Sequence, residues 1–266
     1  MMSKKTFLTA SNSPPNHTGM TIKSPDELIN MRLAGQVVGK VLEKLRTSVQ
    51  PGMKTRDLDK MAEREIIHLG ALPVFKGYRG FPATICASIN NEIVHGIPGD
   101  RIINEGDLVK VDVGAQVNGF IGDAAITIGI PPLDDLAVRL IEVTKEALNR
   151  GINEARHGSR IGDIGSAIEK FVRNNGYNVV REYVGHGVGR ALHEEPAIPN
   201  YGTSGHGAEL REGLVIAIEP MVNIGGWETQ VLDDDWTVVT ADGSLSAHFE
   251  HTIAITDDEP TVLTNP

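Results

Sequence analysis

Apolar residues recur at near-helical spacing in four stretches of the chain, which predicts four helices. The first begins at Ser24-Pro25, where Ser24 caps the helix and Glu27 completes a capping box. Its apolar positions are Ile29, Leu33, Val37, Val41 and Leu45. The other helices are predicted over Arg56–Leu69, Leu133–Asn149 and Gly162–Asn174, with Gly70 and Gly176 stopping the second and the fourth.

Strand-like runs lie between and after these helices. Short strands are predicted over Thr84–Ile89 and Ile93–His95, and the stretch Leu108–Ile128 predicts a β-hairpin that turns near Asn118-Gly119. The last third of the chain is rich in strands, with turns at Gly225-Gly226 and Asp242-Gly243. The sequence therefore predicts an α+β fold.

The pattern also repeats within the chain, which favours two related halves. A glycine, an acid five residues later and an aliphatic residue recur with an offset of 106 positions: Gly52, Asp57 and Leu58 against Gly158, Asp163 and Ile164. The strand NEGDLVKVD likewise matches REGLVIAIE with an offset of 107, which makes Asp112 and Glu219 equivalent. Chance is the alternative, since helix starts and strands often look alike, but the offset is sustained over about 60 residues.

Composition limits the classes of partner. The 266 residues carry a net charge of −10, which argues against a broad surface for nucleic acid or anionic membranes and leaves a local basic patch open. Cys86 is the single cysteine, so an intrachain disulfide is excluded and a cytoplasmic location is expected. No apolar run is long enough to span a bilayer. Residues 1–22 predict a flexible arm, and residues 23–266 a single catalytic domain.

Four carboxylates interrupt apolar strands: Asp112, Asp123, Glu219 and Glu250. If the hairpin turns on Asn118-Gly119, Asp112 lies opposite Ala125 and diagonal to Asp123, so both acids share one face. The simplest alternative makes each acid a solvated edge residue, but it needs four coincidences. Clustered carboxylates repel unless they share a proton or bind cations.

Two divalent cations would balance the four charges. A nearby imidazole favours Mn, Fe, Co or Zn over Mg or Ca. Such a pair activates a hydroxide that attacks a carbonyl or phosphoryl centre. The residues alone therefore predict a metallohydrolase and no particular substrate.

Three histidines, His95, His186 and His193, lie beside glycine or proline, where the backbone can approach a ligand. Their spacing does not tell which binds metal and which contacts substrate. Glu194 and Glu195 follow His193 directly and are further candidates by position. His248 shares a strand face with Glu250, which makes it a weak candidate for supporting a ligand.

Five segments in this order resemble the bacterial, type I methionine aminopeptidases: ICASINNEIVHGIPGD, VKVDVGAQVNGFIGDAAIT, GHGVGRALHEEP, IAIEPM and DWTVVTADGSLSAHFEHT. The resemblance implies the pita-bread fold, in which two pseudo-symmetric halves surround an antiparallel sheet with helices outside. It implies removal of the initiator methionine from peptides and nascent proteins whose second residue is small. It also implies action as a monomer, and docking to the ribosome is conceivable although no motif indicates it.

The resemblance also assigns roles to residues. The metal ligands would be Asp112, Asp123, His186, Glu219 and Glu250. Glu219 would also accept a proton from the attacking water, while His193 and His95 would contact the substrate near the scissile bond. The side-chain pocket would be formed by Tyr78, Phe81, Cys86 and Trp236. Relatives often have tyrosine at Phe81 and an aromatic residue at Leu192, which affects the shape of the pocket.

Some relatives hold a monovalent cation in the region matched by Asn90, Glu92 and Ser246, so such an ion is a further expectation. Three alternatives stay open. The first is aminopeptidase P or prolidase, which usually carry a large extra N-terminal domain. The second is a type II methionine aminopeptidase, which carries an insertion before the acid that matches Glu219. A non-catalytic binding protein on this fold would typically lack metal ligands, all of which are present here.

Overall fold

The computed structural model describes residues 19–266, so most of the predicted arm lies outside the described residues. The helices are α1 (Pro25–Ser48), α2 (Thr55–His68), α3 (Asp135–Glu154) and α4 (Ile161–Asn174). The strands of the first half are β1 (Leu72–Pro73), β2 (Ile85–Ile89), β3 (Glu92–Val94), β4 (Leu108–Val117) and β5 (Phe120–Gly129). Those of the second half are β6 (Asn178–Val179), β7 (Gly185–Gly187), β8 (Glu194–Ile198), β9 (Val215–Ile218), β10 (Met221–Asn223), β11 (Thr229–Val231), β12 (Val238–Thr240), β13 (Ser246–His248), β14 (His251–Ala254) and β15 (Thr261–Val262).

Helix α1 begins as predicted but does not bury all of the predicted positions. Ser24 and Glu27 form the capping box. However, Ile29 is 59% exposed and Leu33 42% exposed, whereas Val37, Val41 and Leu45 are buried in the core. A spacing of four residues advances by about 40° per step around an α-helix, so positions 16 residues apart lie on nearly opposite faces. The predicted apolar positions near the N-terminus of α1 therefore lie outside its buried face.

The buried face of α1 approaches the hairpin and the C-terminal residues very closely. A Cβ atom on Gly35 would lie 2.3 Å from the carbonyl oxygen of Leu263, and one on Gly122 of β5 would lie 2.7 Å from the Gly35 nitrogen. Glycine is needed at both positions because any side chain would push the helix off the sheet. The helix α3 differs from its prediction by beginning two residues later and ending five residues later, with Asp134 as its N-cap.

The hairpin of β4 and β5 has the predicted geometry. Its two-residue turn is Asn118-Gly119, with φ angles of +51° and +80°. Asp112 pairs with Ala125, and Asp123 pairs with Gly114, so the two acids are diagonal neighbours on one face. Strand β4 also pairs with β2, which places Cys86 opposite Asp112.

The two halves begin their second helices in the same way. Lys54 precedes α2, and its backbone nitrogen donates to the carboxylate of Asp57 at 3.0 Å. Arg160 precedes α4, and its backbone nitrogen donates to Asp163 in the same manner, at 2.7 Å. Each of these leading residues also forms an isolated bridge, to Ile102 and Glu209 respectively. These matched contacts, at the offsets found in the sequence, confirm the two pseudo-symmetric α-plus-β halves.

The halves meet where β5 lies beside β13 and β14, a junction called the seam below. The backbone nitrogen of Glu250 donates to Ala125 at 2.9 Å, and Thr127 exchanges hydrogen bonds with the backbone of His248. The Thr252 hydroxyl donates to the carbonyl of Asp123 at 2.7 Å and accepts from its nitrogen. The seam thus fixes two of the candidate acids relative to each other.

Residues 19–22, assigned to the arm by the sequence, contact the second half. Met20 forms a bridge with Glu195, and Ile22 forms one with Leu214. The Thr21 hydroxyl donates to the carboxylate of Glu194. Within residues 19–266, each helix is too short or too polar to cross a membrane.

Candidate metal centre and substrate pocket

The four predicted acids and His186 come together at the floor of one pocket. The hairpin supplies Asp112 and Asp123. Glu219 follows β9 directly, and Glu250 lies between β13 and β14, beside the seam. The backbone carbonyl of Glu219 accepts a hydrogen bond from the Asn200 side chain at 3.0 Å. The structure therefore brings together, from four segments, all of the residues that the resemblance assigns to metal.

Burial and mutual repulsion raise the pKa values of these acids. Desolvation raises the pKa of Asp112 to about 7. Desolvation, and then the charge of neighbouring acids, raises the pKa of Asp123, Glu219 and Glu250 well above its ordinary range. Without a cation, the cluster therefore keeps protons at neutral pH. A divalent cation among these oxygens would reverse the effect by favouring the carboxylate forms.

His186 presents one nitrogen to the acids. Its Nδ1 lies 2.9 Å from the carbonyl oxygen of Gly187, and a donor Nδ1 leaves the lone pair of Nε2 directed at the site. That Nε2 is 3.8 Å from Asp123 Oδ2 and 3.6 Å from Glu219 Oε1, too far for hydrogen bonds. Desolvation lowers the pKa of His186 to about 4, so the imidazole is neutral, as metal ligation requires.

The donor set fits a divalent metal. Ligand atoms of Asp123, His186 and Glu250 all lie within 4.8 Å of one another, and all three residues are buried. In the described chain, Asp112 Oδ1, Asp123 Oδ1 and Glu250 Oε1 are buried without a hydrogen-bond partner. Such oxygens are costly to bury unless something coordinates them. Carboxylate oxygens with one imidazole suit Mn, Fe, Co or Zn.

His193 lies beside His186 on the wall of the pocket. The two ring centroids are 4.2 Å apart, and the hydroxyl of Tyr78 is 2.9 Å from His193 Nδ1. Desolvation, and then the neighbouring His186, lower the pKa of His193 to about 2. The ring is therefore neutral. When the Tyr78 hydroxyl donates to Nδ1, the proton of the imidazole sits on Nε2.

His95 lies across the pocket, in the loop after β3. Its φ angle is +61°, an uncommon conformation for a residue with a side chain. The next residue is held by Ser88, whose hydroxyl accepts from the nitrogen of Gly96 at 3.0 Å. A Cβ on Gly96 would lie 2.5 Å from the carbonyl oxygen of Ala87. The loop is thus pressed onto β2 in a way that turns His95 toward the pocket.

The remaining wall is apolar and aromatic. Phe81 and Trp236 meet edge to face with ring centroids 5.0 Å apart. Burial raises the pKa of the Cys86 thiol well above its ordinary value, so it is neutral. The full lining comprises Phe75, Tyr78, Phe81, Cys86, His95, Asp112, Asp123, His186, Leu192, His193, Glu219, Trp236 and Glu250. All predicted pocket residues are present there.

Sequence reasoning missed Phe75 and the supporting residues Thr252 and Asn200. Phe75 carries no local signal of its role, and the other two act through the backbone of an acid across the fold. His248 was only a weak candidate, yet its Nε2 lies 3.9 Å from Glu219 Oε2. It is a buried, neutral neighbour of the cluster, with a pKa lowered to about 3 by desolvation.

Glu194, a candidate by position, has a different environment. Its carboxylate binds Lys23 at 2.8 Å and accepts from the backbone nitrogen of Arg190 at 2.9 Å. A Cβ on Gly189 would lie 2.3 Å from Oε1 of this carboxylate, so a side chain there would displace Glu194 from its present position. Glu194 therefore anchors the loop that carries His193, and it does not line the pocket.

Comparison with known proteins agrees with this geometry. Residues 29–257 match the profile of metallopeptidase family M24. Methionine aminopeptidase 1 of Bacillus subtilis is 50% identical over 242 residues, which are 91% of this chain and 98% of that protein. The crystal structure of methionine aminopeptidase from Thermotoga maritima superimposes with a TM-score of 0.90 at 45% identity, covering 93% of this chain and 100% of that one.

More distant structures share the fold. Prolidase from Pyrococcus furiosus superimposes with a TM-score of 0.76 at 24% identity, covering 92% of this chain but 65% of the prolidase. This confirms the pita-bread fold without bearing on the substrate. Identity near one half over almost the whole length places the chain more narrowly. It belongs to metallopeptidase family M24 and, within that family, to the methionine aminopeptidases.

Proposed function

We propose that this protein removes the N-terminal methionine from peptides and nascent proteins whose second residue is small. The observation that carries the proposal is the convergence of four carboxylates and a neutral imidazole at the floor of an apolar pocket. The substrate would reach the acids with its free α-amino group. That group would lie at the closed end of the site, which restricts cleavage to the first residue. Residues 23–266 would form the catalytic unit.

The metal ligands in this proposal are Asp112, Asp123, His186, Glu219 and Glu250, which would hold two divalent cations. Mn, Fe, Co and Zn suit the mixed oxygen and nitrogen donors. When bound, such cations lower the pKa of water and polarise a carbonyl group. The buried oxygens without partners on Asp112, Asp123 and Glu250 support this assignment.

The protein's own residues would carry the proton steps. Glu219 would accept a proton from the attacking water and pass it to the leaving amine. His193, with its proton on Nε2, would donate to the carbonyl oxygen as negative charge develops there. His95 would contact the substrate backbone on the opposite side. Both rings are neutral at pH 7, because burial lowers the pKa of His95 to about 4 and that of His193 to about 2.

The pocket would select methionine by shape and polarity. Phe81, Trp236 and the neutral thiol of Cys86 offer an apolar, polarisable surface that suits an unbranched thioether. Tyr78 borders the pocket and orients His193. Leu192, where relatives often have an aromatic residue, would change the width of the pocket and not the reaction.

We further propose that the protein works in the cytoplasm as a monomer on nascent chains, with ribosome docking as one route to them. The single buried cysteine is consistent with a reducing compartment. A net charge of −10 argues against a general affinity for nucleic acid.

The direct test is a peptide assay with defined metal content. The chelated protein is reloaded with Mn, Fe, Co or Zn and supplied with Met-Ala-Ser and Leu-Ala-Ser. Release of methionine from the first peptide alone is expected. Absence of cleavage with every metal, or equal cleavage of both peptides, would overturn the proposal.

A second test replaces the proposed proton acceptor. Glu219→Gln should lower kcat by about 100-fold or more, because general acid–base catalysis contributes that much. Glu105→Gln, at an exposed position, is the matched control and should keep full activity. Near-normal turnover of Glu219→Gln would remove Glu219 from its role.

A further inference from the structure

Lys110 is a buried lysine with an unusual set of partners. Its side chain is 2% exposed and lies on β4, two residues before Asp112. Its ammonium donates to the backbone carbonyl of Asn90 at 2.6 Å and to that of Ser246 at 3.0 Å. Within residues 19–266 these two carbonyl oxygens are its hydrogen-bond acceptors. A cluster of backbone carbonyls is also the environment in which proteins hold bare monovalent cations.

The nearby acids have other partners. Glu92 binds Arg101 and accepts from the nitrogen of Ile89, while Asp107 accepts from the Asn90 side chain at 2.8 Å. Burying an ammonium without a directly paired carboxylate is costly. The burial of the Lys110 ammonium therefore needs an explanation, and its position in the fold offers one.

The position of Lys110 connects both halves of the metal centre. Asn90, in the left-handed region at φ +58°, forms the turn between β2 and β3. Ser246 begins β13, four residues before Glu250, and its nitrogen donates to the same Asn90 carbonyl at 3.1 Å. One ammonium therefore joins the strand of Asp112 to the segment that leads to Glu250.

Because some relatives hold a monovalent cation in the region matched by Asn90, Glu92 and Ser246, such an ion was an expectation here. In this chain the Lys110 ammonium lies on the carbonyls of Asn90 and Ser246. We propose that the ammonium of Lys110 takes the place of that ion, so that this chain binds no monovalent cation there. Lys110 is accordingly a positioning residue: it holds β13, and through it Glu250, against the hairpin. The positive charge at these carbonyls then belongs to a side chain of the protein and not to a bound ion.

Thallium(I), which replaces K⁺ at carbonyl sites and scatters anomalously, tests the occupancy. Crystals of the full chain are soaked in a thallium salt with tetramethylammonium as the balancing cation. The wild-type protein should show no anomalous peak between the carbonyls of Asn90 and Ser246, whereas Lys110→Ser should show one. A peak in the wild type at that position, or none in Lys110→Ser, would overturn the proposal.

Solution measurements test the positioning role. At constant ionic strength, exchanging tetramethylammonium for K⁺ should leave the unfolding temperature of the wild-type protein unchanged. Lys110→Ser should lose several degrees and about tenfold in Mn²⁺ affinity, and K⁺ should restore both. Lys110→Met, which keeps the length without the charge, should be destabilised and not rescued. Lys44→Ser, at an exposed site on α1, is the control.

K⁺ dependence of the wild-type protein would contradict the proposal even if no variant folds. A Lys110→Ser variant as stable and as tight for Mn²⁺ as the wild type without K⁺ would also contradict it. The positioning role rests on the metal centre proposed above. Thallium occupancy and thermal stability do not depend on peptidase activity, so a failed peptide assay beside the expected thallium result would remove only the proposed function.

Discussion

In the first half of the molecule, Asp112 and Asp123 lie on one continuous hairpin with a two-residue turn. In the second half, the strands of Glu219 and Glu250 are joined by the long segment 224–245, which includes β11 and β12. That segment pairs with β3 of the first half and carries Trp236 into the pocket. Each half thus supplies two acids from a similar pair of strands. The proposed substrate pocket also depends on the segment 224–245, which belongs to the second half.

A second difference concerns the strand beside each first acid. Ser88 of β2 pairs with Lys110, and His186 of β7 pairs with Ala217, the residue 107 positions after Lys110. The equivalent positions therefore hold a hydroxyl and a buried cation in one half, and an imidazole and a methyl group in the other. The duplicated scaffold fixes where side chains point, and the choice of side chain decides what each half contributes.

The largest expected effect comes from removing the side chain at each of these two equivalent positions. His186→Ala should weaken binding of Mn²⁺ by about 100-fold or more, since even residues that only support ligands cost 10- to 100-fold. Ser88→Ala, at the equivalent position, should keep metal affinity and lower kcat/KM a few-fold by loosening the loop of His95. Calorimetric metal titration and peptide kinetics on both variants give the comparison. Equal losses of metal affinity would contradict it.

The next effect concerns the acids themselves in chelated protein. The folded-state pKa of Asp112 is raised from 3.8 to about 7, so its contribution to stability is intact below pH 4 and is lost as pH rises to about 7. Asp112→Asn should therefore stabilise the chelated protein by roughly 3 kcal/mol at pH 7 and hardly at all at pH 4. Thermal unfolding from pH 4 to 8 measures the difference.

Excess Mn²⁺ should reverse the sign at pH 7, because the wild-type protein then gains the ligand that the variant lacks. Glu219→Gln, in the other half, should follow Asp112→Asn: more stable than the wild type under chelation at pH 7, and less stable in excess Mn²⁺. Should either variant be less stable than the wild type under chelation at pH 7, the repulsion between buried acids would be the wrong account.

A smaller effect is expected from two ion pairs, one that links the residues before α1 to the second half and one within the first half. Lys23 and Glu194 have side chains 4% and 12% exposed, whereas Lys54 and Asp100 are 44% and 69% exposed. Lys23→Met should lower the free energy of unfolding by about 2 kcal/mol, as for a hydrogen bond to a buried charge. Lys54→Met should cost less than about 1 kcal/mol. Urea unfolding of both variants measures the two losses. Equal losses in the free energy of unfolding would contradict the role given to burial.

The smallest effect concerns the turn that keeps the first half continuous. Gly119 has a φ of +80°, and a Cβ there would meet ordinary contact distances, so backbone strain is the main cost of a side chain. Gly119→Ala should destabilise the protein by about 1 kcal/mol. Gly99→Ala, at an open position without positive φ, should be neutral. A neutral Gly119→Ala would mean that the turn relaxes into another conformation.

The sequence predicted the parts of the site that follow from local rules. The diagonal placement of Asp112 and Asp123 came from the alternation of strand side chains and the preference of Asn-Gly for tight turns. The exposed Ile29 shows the opposite case, because helical periodicity alone does not tell which helix face meets the sheet. The buried face is the one on which Gly35 approaches Leu263, a contact between residues far apart in the sequence.

The partners of Glu194 and Lys110 were also beyond local rules. Glu194 stands next to His193, yet its carboxylate turns to Lys23, which lies far away in the sequence. Lys110 occupies a strand position where an exposed lysine would have been unremarkable. Its role became visible only when folding placed Asn90 and Ser246 around its ammonium.

The seam between the halves has an evolutionary consequence. If the scaffold arose by duplication, its ancestor was a dimer of two identical halves, with every residue present twice. Such a dimer would have two histidines at the position of His186 or none, and two lysines at that of Lys110 or none. Joining the halves into one chain, through the segment between β5 and α3, released each copy from the identity of the other. Asymmetry at the proposed metal centre is thus open to the fused chain and closed to a dimer of identical halves.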